Sequence, residues 1–226
     1  MKLFLCGGGS GKQVIDAYKE FEKCIDKNKP ILYIPLAMDE EKYNSCYEWF
    51  SDEIKNFGGM KFDMVRNSLE LSNKDFNKYA AIFIGGGNTF KLLKDLKEHS
   101  NWDKIINYLN NDGVIFAGSA GAIVFGKDIN SALIDDGNDV NICDLSGFNY
   151  LKDYSILCHL KESHFNKNEE YLKRYSKKFK TIYMPEEDVI LISNNEIKMI
   201  GNKDIVIFDN DKYCWRTCKQ FEIIFK

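Results

Sequence analysis

Few side chains in this sequence can break a bond, and the most suggestive one sits in the run Val114-Ile115-Phe116-Ala117-Gly118-Ser119-Ala120-Gly121. A strand that turns sharply into a helix through small residues holds its central side chain out at the sheet edge, as a nucleophile elbow does. The turn needs Gly or Ala two positions before and two after the nucleophile, and Ala117 and Gly121 stand there. A small-residue loop packing a helix closely would be spelled the same way, so the partners decide. Serine alone is a weak nucleophile and needs a base. Of the three histidines, His99 falls mid-helix among charged residues, a surface position. His159 ends an expected strand, where an open parallel sheet offers side chains to a crevice. His164, in an expected loop, is the reserve. The histidine in turn needs a carboxylate, and Asp135, Asp136, Asp139 and Asp144 lie between nucleophile and base. Backbone N–H groups of Ala120 and Gly87 can hold a developing oxyanion.

The elements that must position these groups alternate between short apolar runs and amphipathic stretches, the pattern of parallel strands joined by crossover helices. Strands are expected over Lys2–Cys6, Ile31–Pro35, Lys61–Val65, Ala80–Ile84, Val114–Phe116 and Tyr154–Cys158. Closing strands are expected over Thr181–Met184, Val189–Ser193, Ile197–Ile200, Asp204–Phe208 and Glu222–Phe225. Helices are expected from Val14 to Ile25, over 40–57, from Phe90 to Leu96, over Asp103–Leu109 and, basic in character, over 167–179. Polar, acidic residues from Asp128 to Asp144 read as loops or a short hairpin over the strand ends. There is no repeat, no linker and only three prolines, so residues 1–226 are expected to form one domain.

Composition narrows the function. A length of 226 residues with 44% hydrophobic and 29% charged residues fits an ordinary globular chain. Thirty-one basic against 34 acidic residues leave a formal charge of -3, with no basic field for nucleic acid or anionic lipid. No apolar run approaches a membrane span, and the start, Met1 to Gly9, is too short for a signal segment, so a cytoplasmic protein is expected. Seven cysteines, an odd number, read as reduced thiols. Cys214 and Cys218 have no second pair or histidine nearby and make a poor zinc site, so no metal is expected. Gly7-Gly8-Gly9-Ser10-Gly11-Lys12-Gln13 looks superficially like a phosphate loop, but lacks its first glycine and the hydroxyl residue after Lys12.

Together, the triple glycine ending the first strand, Ile84-Gly85-Gly86-Gly87-Asn88-Thr89-Phe90, then Gly118-Ser119-Ala120-Gly121-Ala122, then a strand ending in His159, resemble the peptidase E (aspartyl dipeptidase) family of serine peptidases, to which cyanophycinase is related. The resemblance runs along about the whole chain. It implies a three-layer α/β/α domain with a mostly parallel, flavodoxin-like sheet akin to class I glutamine amidotransferases. It also implies hydrolysis of small peptides, dipeptidase-like, through an acyl-serine intermediate without a cofactor, by a monomer or homodimer. Ser119 matches the nucleophile, His159 the base, and Gly87 with Ala120 the oxyanion donors. Family spacing counted forward from Ser119 lands near Asp135, and counted backward from Gly147-Phe148 it lands on Asp139. Asp139 is the expected third member, with Asp135 and Asp136 as alternatives. Two positions depart from the family: Cys158 stands where proline usually precedes the histidine, and no arginine that could pair with a substrate aspartate stands between His159 and Arg174. Lys161 or Lys167 could substitute as a point charge. The alternative is a binding member of the same fold in which Ser119 only packs.

Overall fold

The computed structural model describes residues 1–194 and 196–225. The first half alternates as the apolar runs require. Strand β1 (Lys2–Cys6) leads through a 3-10 turn into helix α1 (Ile15–Glu22), and β2 (Ile31–Ile34) leads to α2 (Tyr43–Glu53). Then come β3 (Phe62–Met64), the short α3 (Ser68–Ser72), β4 (Ala81–Ile84), α4 (Thr89–Lys97), α5 (Asn101–Asn110), β5 (Val114–Gly118) and the single turn α6 (Ala120–Ile123). The second half holds β6 (Ser155–Leu157), α7 (Glu162–Ser176), β7 (Thr181–Tyr183), β8 (Val189–Ser193), β9 (Glu196–Ile200), β10 (Ile205–Asp209), β11 (Lys212–Arg216) and α8 (Cys218–Ile224).

Seven strands form one sheet in the order β3-β2-β4-β5-β1-β8-β9. Its first five are mutually parallel, whereas β8 pairs antiparallel with β1 and β9 pairs antiparallel with β8. The central strands β2 and β4 are buried at every position, as strands covered on both faces must be. One face packs Phe4, Phe83 and Phe116 under α1 and α2, with Phe83 and Phe116 stacked at 5.1 Å between centroids. The other face packs Leu5, Ile84 and Ile115 against α4, α5 and α6. Helices on both sides of a mostly parallel sheet give the expected α/β layering.

A second, four-stranded sheet, β11-β10-β7-β6, was not foreseen from the sequence. Its strands β6 and β7 are parallel, and their carboxyl ends deliver the chain beside the carboxyl ends of β1 and β5. Other differences have local causes. Helix α7 begins at Glu162 rather than 167, because Phe165 and Leu172, seven residues apart, bury on one stripe. His164 therefore lies on a helix and not in a loop. The terminal run expected as a strand belongs to α8, started by a reciprocal cap between Thr217 and Gln220, and the edge strand is β11 instead. Short apolar runs cannot distinguish the two states by periodicity. The 128–144 segment is mostly irregular with a 3-10 turn over Asn130–Ile134, and Asp128 bridges Ser146. No helix among the described residues is long and apolar enough to cross a membrane.

Candidate active site

Ser119 sits where β5 becomes α6, with φ 53° and ψ −119°. A side-chain-bearing residue with positive φ and such a ψ costs on the order of 1–3 kcal/mol and persists only where its surroundings over-determine it. The buried strand before it supplies one constraint, and its N–H donates to the Cys6 carbonyl of β1 at 3.1 Å. The other is close packing behind it: a Cβ at Gly121 would lie 2.6 Å from the Ile84 carbonyl oxygen, so only glycine lets α6 approach β4. The strained turn of a nucleophile elbow is present, and Ser119 lines a cleft of about 510 Å³ over the strand ends.

His159 follows β6, held by its N–H donating to the Gly7 carbonyl at 3.0 Å. Its Nε2 lies 2.8 Å from Ser119 Oγ, and its Nδ1 lies 3.0 Å from Glu186 Oε1. A carboxylate only accepts, so Nδ1 carries the proton and Nε2 is left to accept from the serine hydroxyl. The glycines after β1 shape this arrangement. Gly8 has φ +119°, and a Cβ there would meet His159 Cε1 at 2.2 Å. Gly9 donates its N–H to the Glu186 carbonyl at 2.8 Å. The run that superficially resembles a phosphate loop thus packs a histidine and a glutamate.

Glu186 lies in the turn after β7, and its carboxylate is shared with Lys161 Nζ at 2.9 Å. The hydrogen bond from Lys161, and then that from His159, hold it below the usual glutamate range, so it is ionised wherever the histidine could work. The aspartates expected at this position lie elsewhere. Asp139 is exposed, with its carboxylate beside Gly137. Asp135 Oδ1 is 2.7 Å from His164 Nε2, whose Nδ1 meets the Tyr183 hydroxyl, and Asp136 accepts from the Thr89 N–H at 2.8 Å. Asp144 pairs with Lys97 at 2.6 Å, and Asn88 donates to the Gly137 carbonyl at 2.8 Å. These bonds tie the acidic segment to α4 and, through His164, to α7, and keep its carboxylates off Nδ1 of His159. Glu186 lies outside the interval between Ser119 and His159 in which the expected carboxylates fall. The available signal was Pro185-Glu186-Glu187-Asp188, an acidic turn closing the strand after the one that bears the histidine.

The cleft brings Ser119 and His159 together with Gly87, Thr89, Asp135, Asp136, Lys161 and His164. Ala120 is the first residue of α6, so its N–H has no partner within the helix, and Gly87 opens onto the same space. Lys167 is exposed on α7, and the Lys161 ammonium is already engaged by Glu186. Asp188, two residues beyond Glu186, is buried, and burial raises its carboxyl to about 6 despite N–H groups of Lys203 and Asn202. Burial likewise pushes the Cys6 thiol up to about 12, so it is no nucleophile at neutral pH. No group of three metal-ligating side chains occurs among the described residues.

Known proteins share both sequence and fold. The uncharacterized peptidase Lmo0363 of Listeria monocytogenes is 28% identical over 202 residues, covering 87% of this chain and 94% of its own. Peptidase E of a Nostoc species is 26% identical over 194 residues, covering 80% of this chain and 76% of its own. Among solved structures, a candidate peptidase E from Listeria monocytogenes EGD-e superposes with a TM-score of 0.73 at 22% identity, over 89% of this chain and 98% of that one. A peptidase from an acI-B1 Actinobacterium superposes with a TM-score of 0.68 at 18% identity, over 96% and 94% of the two chains. Peptidase family S51 matches residues 3–200, a span that contains every element delivering Ser119, His159 and Glu186, so the chain belongs to that family and is a serine peptidase.

Proposed function

We propose that the protein hydrolyses an amide bond of small peptides with Ser119 as nucleophile, His159 as base and Glu186 as the carboxylate behind it. The observation that carries this reading is the continuous relay from Ser119 Oγ to His159 Nε2 at 2.8 Å and from Nδ1 to Glu186 at 3.0 Å. Ser119 Oγ attacks the scissile carbonyl carbon and its proton passes to Nε2. The carbonyl oxygen becomes an oxyanion facing the N–H groups of Ala120 and Gly87. As the C–N bond breaks, His159 returns the proton to the departing amine and an acyl-serine ester remains. Water, deprotonated by the same histidine, releases the acid and regenerates the hydroxyl. Glu186 stays ionised throughout and stabilises the imidazolium.

The size of the cleft and the acidic segment along its wall support small peptides rather than folded proteins as substrates. Asp135 and Asp136 on that wall favour a free amino terminus and disfavour an acidic side chain, so a preference for N-terminal aspartate is not expected here. The test is reaction with a fluorophosphonate followed by intact-mass measurement and a dipeptide screen. One adduct on wild type, none on Ser119→Ala and dipeptide turnover confined to wild type are expected. Turnover retained in folded Ser119→Ala would refute the mechanism.

A further inference from the structure

A peptidase must accommodate substrate on both sides of the bond it cuts, and the cleft that holds Ser119 and His159 lies over only one face of the large sheet. Its apolar wall, including Ile123, Ala132 and Cys158, belongs to the cluster on the α4 and α6 side. A second cavity, of about 430 Å³, lies over the opposite face and is lined by Tyr33, Met38, Lys42, Ser45, Cys46 and Trp49, together with Gly86. Tyr33 and Cys46 belong to the cluster under α1 and α2. Between the two runs a ridge of glycines. Gly87 opens onto the cleft and Gly86 onto the second cavity. A Cβ on Gly86 would stand 2.9 Å from Ser119 Cβ and 3.3 Å from its Oγ, so the second cavity begins at a residue in contact with the nucleophile. Met38 packs against both clusters and approaches Gly87, which places it at the crossing.

We infer that this second cavity is the leaving-group subsite, and that it selects peptides whose departing residue carries a large apolar or aromatic side chain. The assignment rests on the proposed peptidase reading. The chemistry of the wall favours such an occupant. Trp49 is 41% exposed, an unusual position for the largest apolar side chain, and its ring lies 6.1 Å from that of Tyr33 and 6.3 Å from that of Phe83. An aromatic residue entering beside it would complete an edge-and-face cluster whose other members are already packed. Lys42 sits on the rim in a loose, exposed pairing with Asp39 at 3.7 Å, leaving its ammonium available to the terminal carboxylate of a departing C-terminal residue. A volume of this order is within the range of small-ligand sites. With the acyl residue on one face and the departing residue on the other, the scissile bond crosses the sheet edge above Ser119.

The test is a dipeptide series with one fixed N-terminal residue and Gly, Ala, Leu or Phe as the departing residue, assayed on wild type, Trp49→Ala, Ser45→Phe and Lys42→Met. Ser45 is exposed on α2, so its replacement fills the cavity without burdening the core. Wild type should favour Phe over Gly by about tenfold or more in kcat/KM, the discrimination open to an apolar pocket. Trp49→Ala and Ser45→Phe should each raise KM for the Phe substrate several-fold more than for the Gly substrate, removing most of that preference. Lys42→Met should raise KM for free dipeptides and leave their C-terminal amides unchanged. A fluorophosphonate adduct on Ser119 reports the peptidase reading separately. Labelled enzyme whose Phe and Gly substrates respond equally to Ser45→Phe overturns the subsite alone, whereas unlabelled Ser119 with no peptide turnover overturns both.

Discussion

Replacing Glu186 by Gln is the sharpest test of how the site works, because it removes one charge and keeps the size of the side chain. In the proposed mechanism His159 takes the serine proton and becomes an imidazolium with its Nδ1 3.0 Å from Glu186 Oε1. Two unit charges about 4 Å apart attract by about 4 kcal/mol at an effective dielectric of about 20. The carboxylate is partly solvated and shared with Lys161 at 2.9 Å, which offsets some of that attraction. A remaining stabilisation of about 3 kcal/mol in the transition state corresponds to roughly a hundredfold in kcat. A wrong tautomer would add to the loss, since a glutamine can donate to Nδ1 and leave the proton on Nε2. The assay is kcat on a dipeptide at saturating substrate, beside a thermal melt showing that the variant is folded. Asp139→Asn, Asp135→Asn and Asp136→Asn serve as controls, with kcat expected within a few-fold of wild type. Glu186→Gln within threefold of wild type, or an aspartate variant that loses as much, would refute the assignment of the third member.

Three further expectations follow from single contacts. His159→Ala should lower kcat by about a thousandfold or more, while His164→Ala, which loses only its bonds to Asp135 and Tyr183, should cost far less; equal losses would point to His164 as a base. Gly8→Ala should lower kcat at least tenfold and soften the fold by about 1–3 kcal/mol, since the new Cβ would lie 2.2 Å from His159 Cε1 at a φ of +119°; full activity in a melt-stable variant would remove Gly8 from the support of the base. Asp188→Asn should stabilise the protein at pH 8 by an amount on the order of 2–3 kcal/mol, with the gain vanishing towards pH 4. The sign follows because burial raises the folded carboxyl from 3.8 to about 6, so the folded state binds the extra proton and loses stability as pH rises through that window. Melts that respond identically to pH in both proteins would contradict it.

Much of the fold is legible in the sequence because the large sheet is buried on both faces. Runs such as Ile31–Ile34 and Ala81–Ile84 read as covered strands, and the glycines after Ile84 mark a close approach of backbone to backbone, since a Cβ on Gly87 would lie 2.4 Å from the Ala37 carbonyl oxygen. The proposed nucleophile and base are legible for a related reason. Ser119 is written into a local turn by Ala117, Gly121 and their neighbours, and His159 stands directly after an apolar run. These are local constraints, carried by residues within a few positions of each other.

The third carboxylate is not local. Glu186 reaches His159 because β6 and β7 are parallel neighbours in a second sheet, and because Gly9 draws the turn that holds it against β1. The acidic turn Pro185-Glu186-Glu187-Asp188 marks the end of β7, but only the pairing of β6 with β7 shows that this turn lies beside His159. Conversely, Asp139 and its neighbours have the right chemistry and a plausible interval, yet Asn88, Thr89 and Lys97 hold their segment on α4. The amino-acid sequence by itself determines the covered strands, the strained serine turn and a histidine at a strand end, since each follows from burial or sterics within one stretch of chain. Which carboxylate completes the relay, and that a second cavity opens behind Gly86, are decided by the tertiary structure alone, because both depend on which strand ends the two sheets bring within hydrogen-bonding and packing distance.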